Sequence, residues 1–129
     1  MKKDPRVYLA HILECAEKIE RFTRGGREEF LREELIQDAV IRNLEIIGEA
    51  AKRVDKDYRV AHSQIPWRGM AALRDVLIHQ YEGIELERVW AVVEGDLPLI
   101  KQAIAAVLPP LEQLERELAD EASNSETPT

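Results

Sequence analysis

From about Glu33 to Val54 the apolar residues Ile36, Val40, Leu44, Ile47, Ala51 and Val54 return at three- and four-residue steps, the repeat of one face of an α-helix. Ile41 and Ile46 widen the apolar surface beyond a single stripe, so this helix needs cover on more than one side. It is therefore central in a helical bundle or shared with a second copy of the chain. Gly48 and Ala50-Ala51 would permit close helix approach, although ordinary core packing accounts for the same residues.

The flanking segments repeat the pattern. Asp4 before Pro5 forms a helix start, because Asp caps free amides and proline is preorganised at the first helical position. Tyr8, Ile12, Cys15, Ile19 and Phe22 then mark a buried stripe, which Gly25-Gly26 ends. Asp55 to Gln64 reads as a polar connection, with His62 solvated. Pro66 opens a further helix whose apolar side carries Trp67, Met70, Leu73 and Leu77. Leu86, Val89, Trp90 and Val93 make a short helix after Gly83, and Gly95-Asp96-Leu97-Pro98 stops it and caps the next. That one carries Leu99 or Ile100, Ala103, Ile104, Val107 and Leu108. Pro109-Pro110 breaks it, and Leu111, Leu114 and Leu118 continue as an acidic helix.

Nothing alternates apolar and polar residues long enough to propose a sheet. The expected fold is all-α, an up-down bundle of about five helices over residues 1–119, with 120–129 as a disordered tail. At 129 residues, 45% hydrophobic and 33% charged, the chain suits one domain with one core. Cys15 is the only cysteine, which excludes an internal disulfide or a cysteine-rich metal site and favours a packed thiol. No apolar run suits a signal peptide or a membrane span, so a cytoplasmic protein is expected. A net charge of -7 opposes broad nucleic-acid binding but leaves room for a small basic cleft.

Chemistry concentrates between Pro66 and Tyr81. Arg74 and Tyr81 are nearly in line on a helix, two turns apart, and Asp75 and His79 share a second face. Arg74 and His79 are separated by about 140° around the axis, so one regular helix would not aim both at a small substrate. They converge if the helix ends near His79, for which Gly83 is a plausible stop, or if two copies share a cleft. A homodimer would bring in Arg68 as well, with Arg42, Lys52 or Arg53 as further cations. Arginine offers a planar donor fork for phosphate oxygens, and histidine shuttles a proton near neutral pH. Phosphodiester cleavage uses both, and in RNA the neighbouring 2'-hydroxyl supplies the nucleophile without a metal. The stretch holds no metal-ligand cluster; His11, with no second ligand at suitable spacing, is a surface or interface residue.

The run Ala39 to Lys52, containing Arg42-Asn-Leu-Glu-Ile-Ile-Gly-Glu49, followed by Ile65-Pro-Trp67, Met70, Arg74 to Tyr81 and Glu87 to Trp90, strongly resembles the HepT-like HEPN family. The likeness runs from about residue 5 to about residue 108. It implies a ribonuclease toxin with Arg74 and His79 catalytic and Asp75 as the supporting polar residue. It also implies a type VII-like toxin-antitoxin pair, in which a minimal nucleotidyltransferase antitoxin transfers AMP to the hydroxyl of Tyr81 and switches the toxin off. The expected partners are thus RNA, that nucleotidyltransferase and a second copy of the chain, with no cofactor and no membrane. The alternative is a docking subunit and AMP acceptor with little nuclease activity of its own.

Overall fold

The computed structural model describes residues 4–78 and 85–125, with side chains throughout except at 74–76, 78, 111 and 123–125. Among the described residues eight α-helices run in the order α1 (Pro5–Phe22), α2 (Arg27–Arg32), α3 (Glu34–Arg53), α4 (Lys56–Ala61), α5 (Trp67–Ile78), α6 (Leu86–Ala91), α7 (Leu97–Val107) and α8 (Leu111–Ser125). A π-helical turn, Val92–Asp96, joins α6 to α7. The fold is all-α, with no strand among the described residues. None of the described helices is long and apolar enough to cross a membrane.

The doubly apolar helix is central in the bundle, one of the two arrangements its pattern allows: α3 packs against α1 and α5, and α7 closes on α1. Val40, Leu44, Ile47, Ala51 and Val54 are buried, and Ile36, Ile41 and Ile46 are partly buried against the core. Each large side chain taken fully from water contributes about 1.5–3 kcal/mol, before the entropy of ordering it. On α1 the buried set is Leu9, Ile12, Cys15, Ala16 and Ile19, while Tyr8 and Phe22 lie at its edge. Cys15 is 2% exposed, and burial pushes its thiol pKa up, so the group packs as a small hydrophobe.

Four local readings change. The chain between Gly26 and Glu33 forms α2, whose Phe30 is completely buried. Gly26 makes the entry possible by adopting φ +89, a left-handed conformation that other residues rarely take. The polar connection Asp55 to Gln64 contains α4, because the Asp55 carboxylate accepts a hydrogen bond from the Tyr58 amide at 2.7 Å. Gly95-Asp96-Leu97-Pro98 does not stop a helix. The Leu97 amide donates to the Val92 carbonyl five residues back, and the widened turn shifts the bonding register where Pro98 has no amide to give.

The fourth change is at the C-terminus. Helix α8 runs to Ser125, past the Asp120 at which the sequence suggests a disordered tail, and 126–129 lie outside the described residues. Leu114 is buried, and Arg6 reaches from α1 to Glu117 at 2.8 Å and to Glu121 at 2.6 Å, two residues on one face of α8. The same guanidinium bonds Asp4 at 2.7 Å, and Asp4 caps the Arg6 amide at 2.9 Å.

The hydrogen bond from the Arg6 side chain is the main cause that lowers the Asp4 carboxyl from 3.8 to about 2, against an opposing desolvation. A carboxyl depressed in the folded state stabilises it above the unfolded pKa, and that contribution is lost as pH falls from 3.8 towards about 2. The Arg6 amide resonance is therefore expected to titrate with a midpoint near 2 by NMR, and Arg6→Ala to return the midpoint towards 3.8. An unchanged midpoint in the variant would remove Arg6 as the cause.

Candidate active site on α5

Helix α5 is held to the bundle by Met70, Leu73 and Leu77, which are 0%, 2% and 9% exposed and define its inward side. Helical register then fixes the other positions. Arg74 falls about 70° from the centre of that buried side, in line with Trp67 two turns earlier. Asp75 falls almost opposite the core, on the side that carries exposed Arg68 and Ala72. The two positions are adjacent in sequence yet serve different sides of the helix.

His79 and Tyr81 lie outside the described residues. The backbone places Arg74 and Asp75 in the last described turns of α5, and Ile78 is the last described residue before His79. The described chain resumes at Glu85, and α6 begins at Leu86. Helix α6 is pinned on the side of α2: Val89 is buried, Trp90 lies 5.5 Å from Phe30 between ring centroids, and Arg27 pairs with Glu87. Two anchored helices thus bracket the segment that carries His79 and Tyr81.

The start of α5 is fixed by a second set of contacts. Trp67, read from the sequence as a core residue, is half-buried against the core, and its Nε1 donates to the His62 carbonyl at 3.0 Å. The Trp67 ring meets Tyr58 edge-on at 6.4 Å. His62, expected to be solvated, is half-buried: its ring stacks on Tyr58 at 3.9 Å, and its Nδ1–H donates to the Tyr58 carbonyl at 3.0 Å. These bonds tie α4 to the first turn of α5.

The extra cations divide. Arg68 is exposed at the start of α5, beside Lys56 and Arg59 of α4. Arg42 and Arg53 instead flank a groove between α1 and α3, together with exposed His11, and Arg42 pairs with Glu45 at 3.3 Å. Lys56 and Arg59 share a side only because the segment expected as a polar connection is helical. The capping Asp55, followed by Lys56, Arg59 and Val60 at one-turn spacing, was the available signal.

Comparison with known proteins gives a consistent answer. The family model described as Ribonuclease HepT-like matches residues 12–107, a span that contains Arg74, Asp75, His79 and Tyr81. A protein of Thermococcus cleftensis named "Probable ribonuclease HepT" is 47% identical over 102 residues, covering 78% of this chain and 93% of the relative. A candidate RNase of Caldanaerobacter subterraneus subsp. tengcongensis is 39% identical over 107 residues, covering 82% of this chain and 96% of the relative. A gamma-glutamylcyclotransferase and candidate RNase of Methanocaldococcus jannaschii is 42% identical over 114 residues; these are 88% of this chain but only 51% of that relative. No solved structure matches the chain.

Proposed function

The chain belongs to the HepT-like ribonuclease family, and from that premise we propose that it is an endoribonuclease toxin that cuts RNA with Arg74 and His79. The observation that carries this reading is the family match across residues 12–107, which takes in the whole Arg74 to Tyr81 segment. Arg74 holds the scissile phosphate and stabilises the charge that builds on its oxygens. His79 takes the proton from the 2'-hydroxyl as it attacks phosphorus, or gives one to the departing 5'-oxygen. The products are a 2',3'-cyclic phosphate and a 5'-hydroxyl, and the reaction needs no metal because the nucleophile belongs to the substrate.

The register of α5 supports a site completed by a second copy. If the helical path continued, the positions of Arg74 and His79 would stand about 140° apart. A homodimer that sets α5 of one protomer beside the end of α5 in its partner brings an Arg74 and a His79 to one cleft.

Tyr81 is the control point in this account. Transfer of AMP to its hydroxyl by a minimal nucleotidyltransferase releases pyrophosphate from ATP and leaves a phosphodiester anion close in sequence to His79. Its charge repels an RNA backbone and its bulk fills the cleft. With the nucleotidyltransferase, Mg²⁺ and ATP, the wild-type protein is expected to gain one or more AMP units by mass spectrometry and lose cleavage. Tyr81→Phe is expected to gain none and keep cutting. Uptake of AMP by Tyr81→Phe would place the modification elsewhere.

A further inference from the structure

The first turn of α5 and the exposed side of α4 enclose an open groove of about 680 Å³. Its apolar lining includes Pro66, Trp67 and Val60, the last 69% exposed, and its rim carries Lys56, Arg59 and Arg68. Among the described residues no carboxylate lines it, in a chain whose net charge is -7. Arg6, Arg27, Arg42 and Lys101 each face a carboxylate within ion-pair distance, whereas Arg21, Arg24, Lys52, Arg53 and Arg116 pair with no described side chain but do not share a carboxylate-free groove with an aromatic floor. Lys56, Arg59 and Arg68 pair with no described side chain. Asp57 is exposed on the neighbouring face of α4, outside the lining.

Three unpaired cations spread along an open groove fit a chain of anions better than a single one. An apolar floor with an aromatic ring fits flat bases between those anions. The ring is already fixed, because Trp67 spends its N–H on the His62 carbonyl and abuts Tyr58, so little freedom remains to be lost on binding. One lining residue also leads along α5 to the position of Arg74. Trp67 and Arg74 share a side of α5 and are separated by about 10 Å along its axis.

We propose that this groove binds single-stranded RNA, holding backbone phosphates of the substrate on Lys56, Arg59 and Arg68 while the strand crosses Arg74. The inference rests on the ribonuclease reading of the Arg74 to Tyr81 segment and adds a substrate track outside it. An acidic protein surface is the competing occupant, and the aromatic floor beside the cations favours the nucleic acid.

The test is a fluorescence-anisotropy titration of the full chain with a labelled 2'-O-methyl RNA oligonucleotide, which binds but lacks the attacking hydroxyl. Lys56→Gln, Arg59→Gln and Arg68→Gln together are expected to lower the slope of log K against log salt by about 2, at about 0.7 per phosphate contact. The wild type should then lose about twentyfold more affinity than the triple variant between about 50 and about 200 mM salt. Circular dichroism of the variant should match the wild type, since the three side chains are exposed and unpaired with described groups. The KM for long RNA is expected to rise with the loss of affinity. An unchanged slope and affinity would overturn the proposal, as would loss of nucleotidyltransferase binding with RNA binding intact. Because binding is read without cleavage, an inactive protein that still shows the slope change would sustain the groove and sink the nuclease reading alone.

Discussion

Replacing His79 with alanine is expected to slow RNA cleavage by about 10²–10⁴-fold while leaving the bundle folded, because the variant loses proton transfer and no described core contact. Arg74→Ala is expected to be at least as severe, since the phosphate would lose its permanent charge. Arg74→Lys should recover only part of the rate, because an ammonium cannot offer the guanidinium's two parallel donors. The same pair of variants also tests the shared site. In a mixed dimer of His79→Ala and Arg74→Ala protomers, a cleft built across the two copies has one intact Arg74 and His79 set. After equal mixing and subunit exchange, activity should return to about a quarter of the wild type. Sites contained within one protomer would stay inactive in every combination. Initial rates on a fluorogenic RNA, with circular dichroism as the folding control, decide between them.

Phe30→Ala carries the largest expected effect on stability, about 3–5 kcal/mol, as for other fully buried aromatic residues cut back to a methyl. Phe30 is 0% exposed and touches the Trp90 ring, its amide bonds the Gly26 carbonyl at 3.1 Å, and its carbonyl accepts from Gln37 Nε2 at 2.9 Å. It joins α2 to both α3 and α6. A cavity there loosens the helix that receives the chain after Tyr81, so activity should also fall at temperatures where the variant remains largely folded. Urea unfolding at fixed protomer concentration should show a lower midpoint with an unchanged slope. A midpoint within error of the wild type would mean that the α2 packing is dispensable.

Long elements were legible in the sequence because they repeat their signal. Helix α3, expected from about Glu33 to Val54, spans Glu34–Arg53, and Pro109-Pro110 ends α7 with Leu108 in extended conformation. Between Leu99 and Ile100 the sequence left the inward position open. Register decides it: Ile100 is 1% exposed and Leu99 62%. Helices α2 and α4 escaped notice for a physical reason. Each is six residues long, too short to show a period and too short to be stable alone, and each exists through a tertiary anchor, Phe30 in one case and the Tyr58, His62 and Trp67 cluster in the other. At Gly95-Asp96 glycine and the following proline mark a change of helical bonding, not an end.

The candidate site was legible in a different way. Spacing alone set Arg74 and His79 apart around the helix, and their assignment as a catalytic pair came from the resemblance across the flanking residues. A single sequence does not record how two copies meet, so the geometry that would join them is absent from it. The cations of α4 gain a common side only because the segment expected as a polar connection is helical.

The most direct measurement is cleavage of total cellular RNA by the purified protein in EDTA, with Tyr81 first shown by mass to be unmodified. The account predicts cutting by the wild type and by neither His79→Ala nor Arg74→Ala, with 2',3'-cyclic phosphate and 5'-hydroxyl ends on the fragments. No cutting by unmodified, dimeric wild-type protein would contradict it and would leave the chain as a docking and AMP-accepting partner of the nucleotidyltransferase.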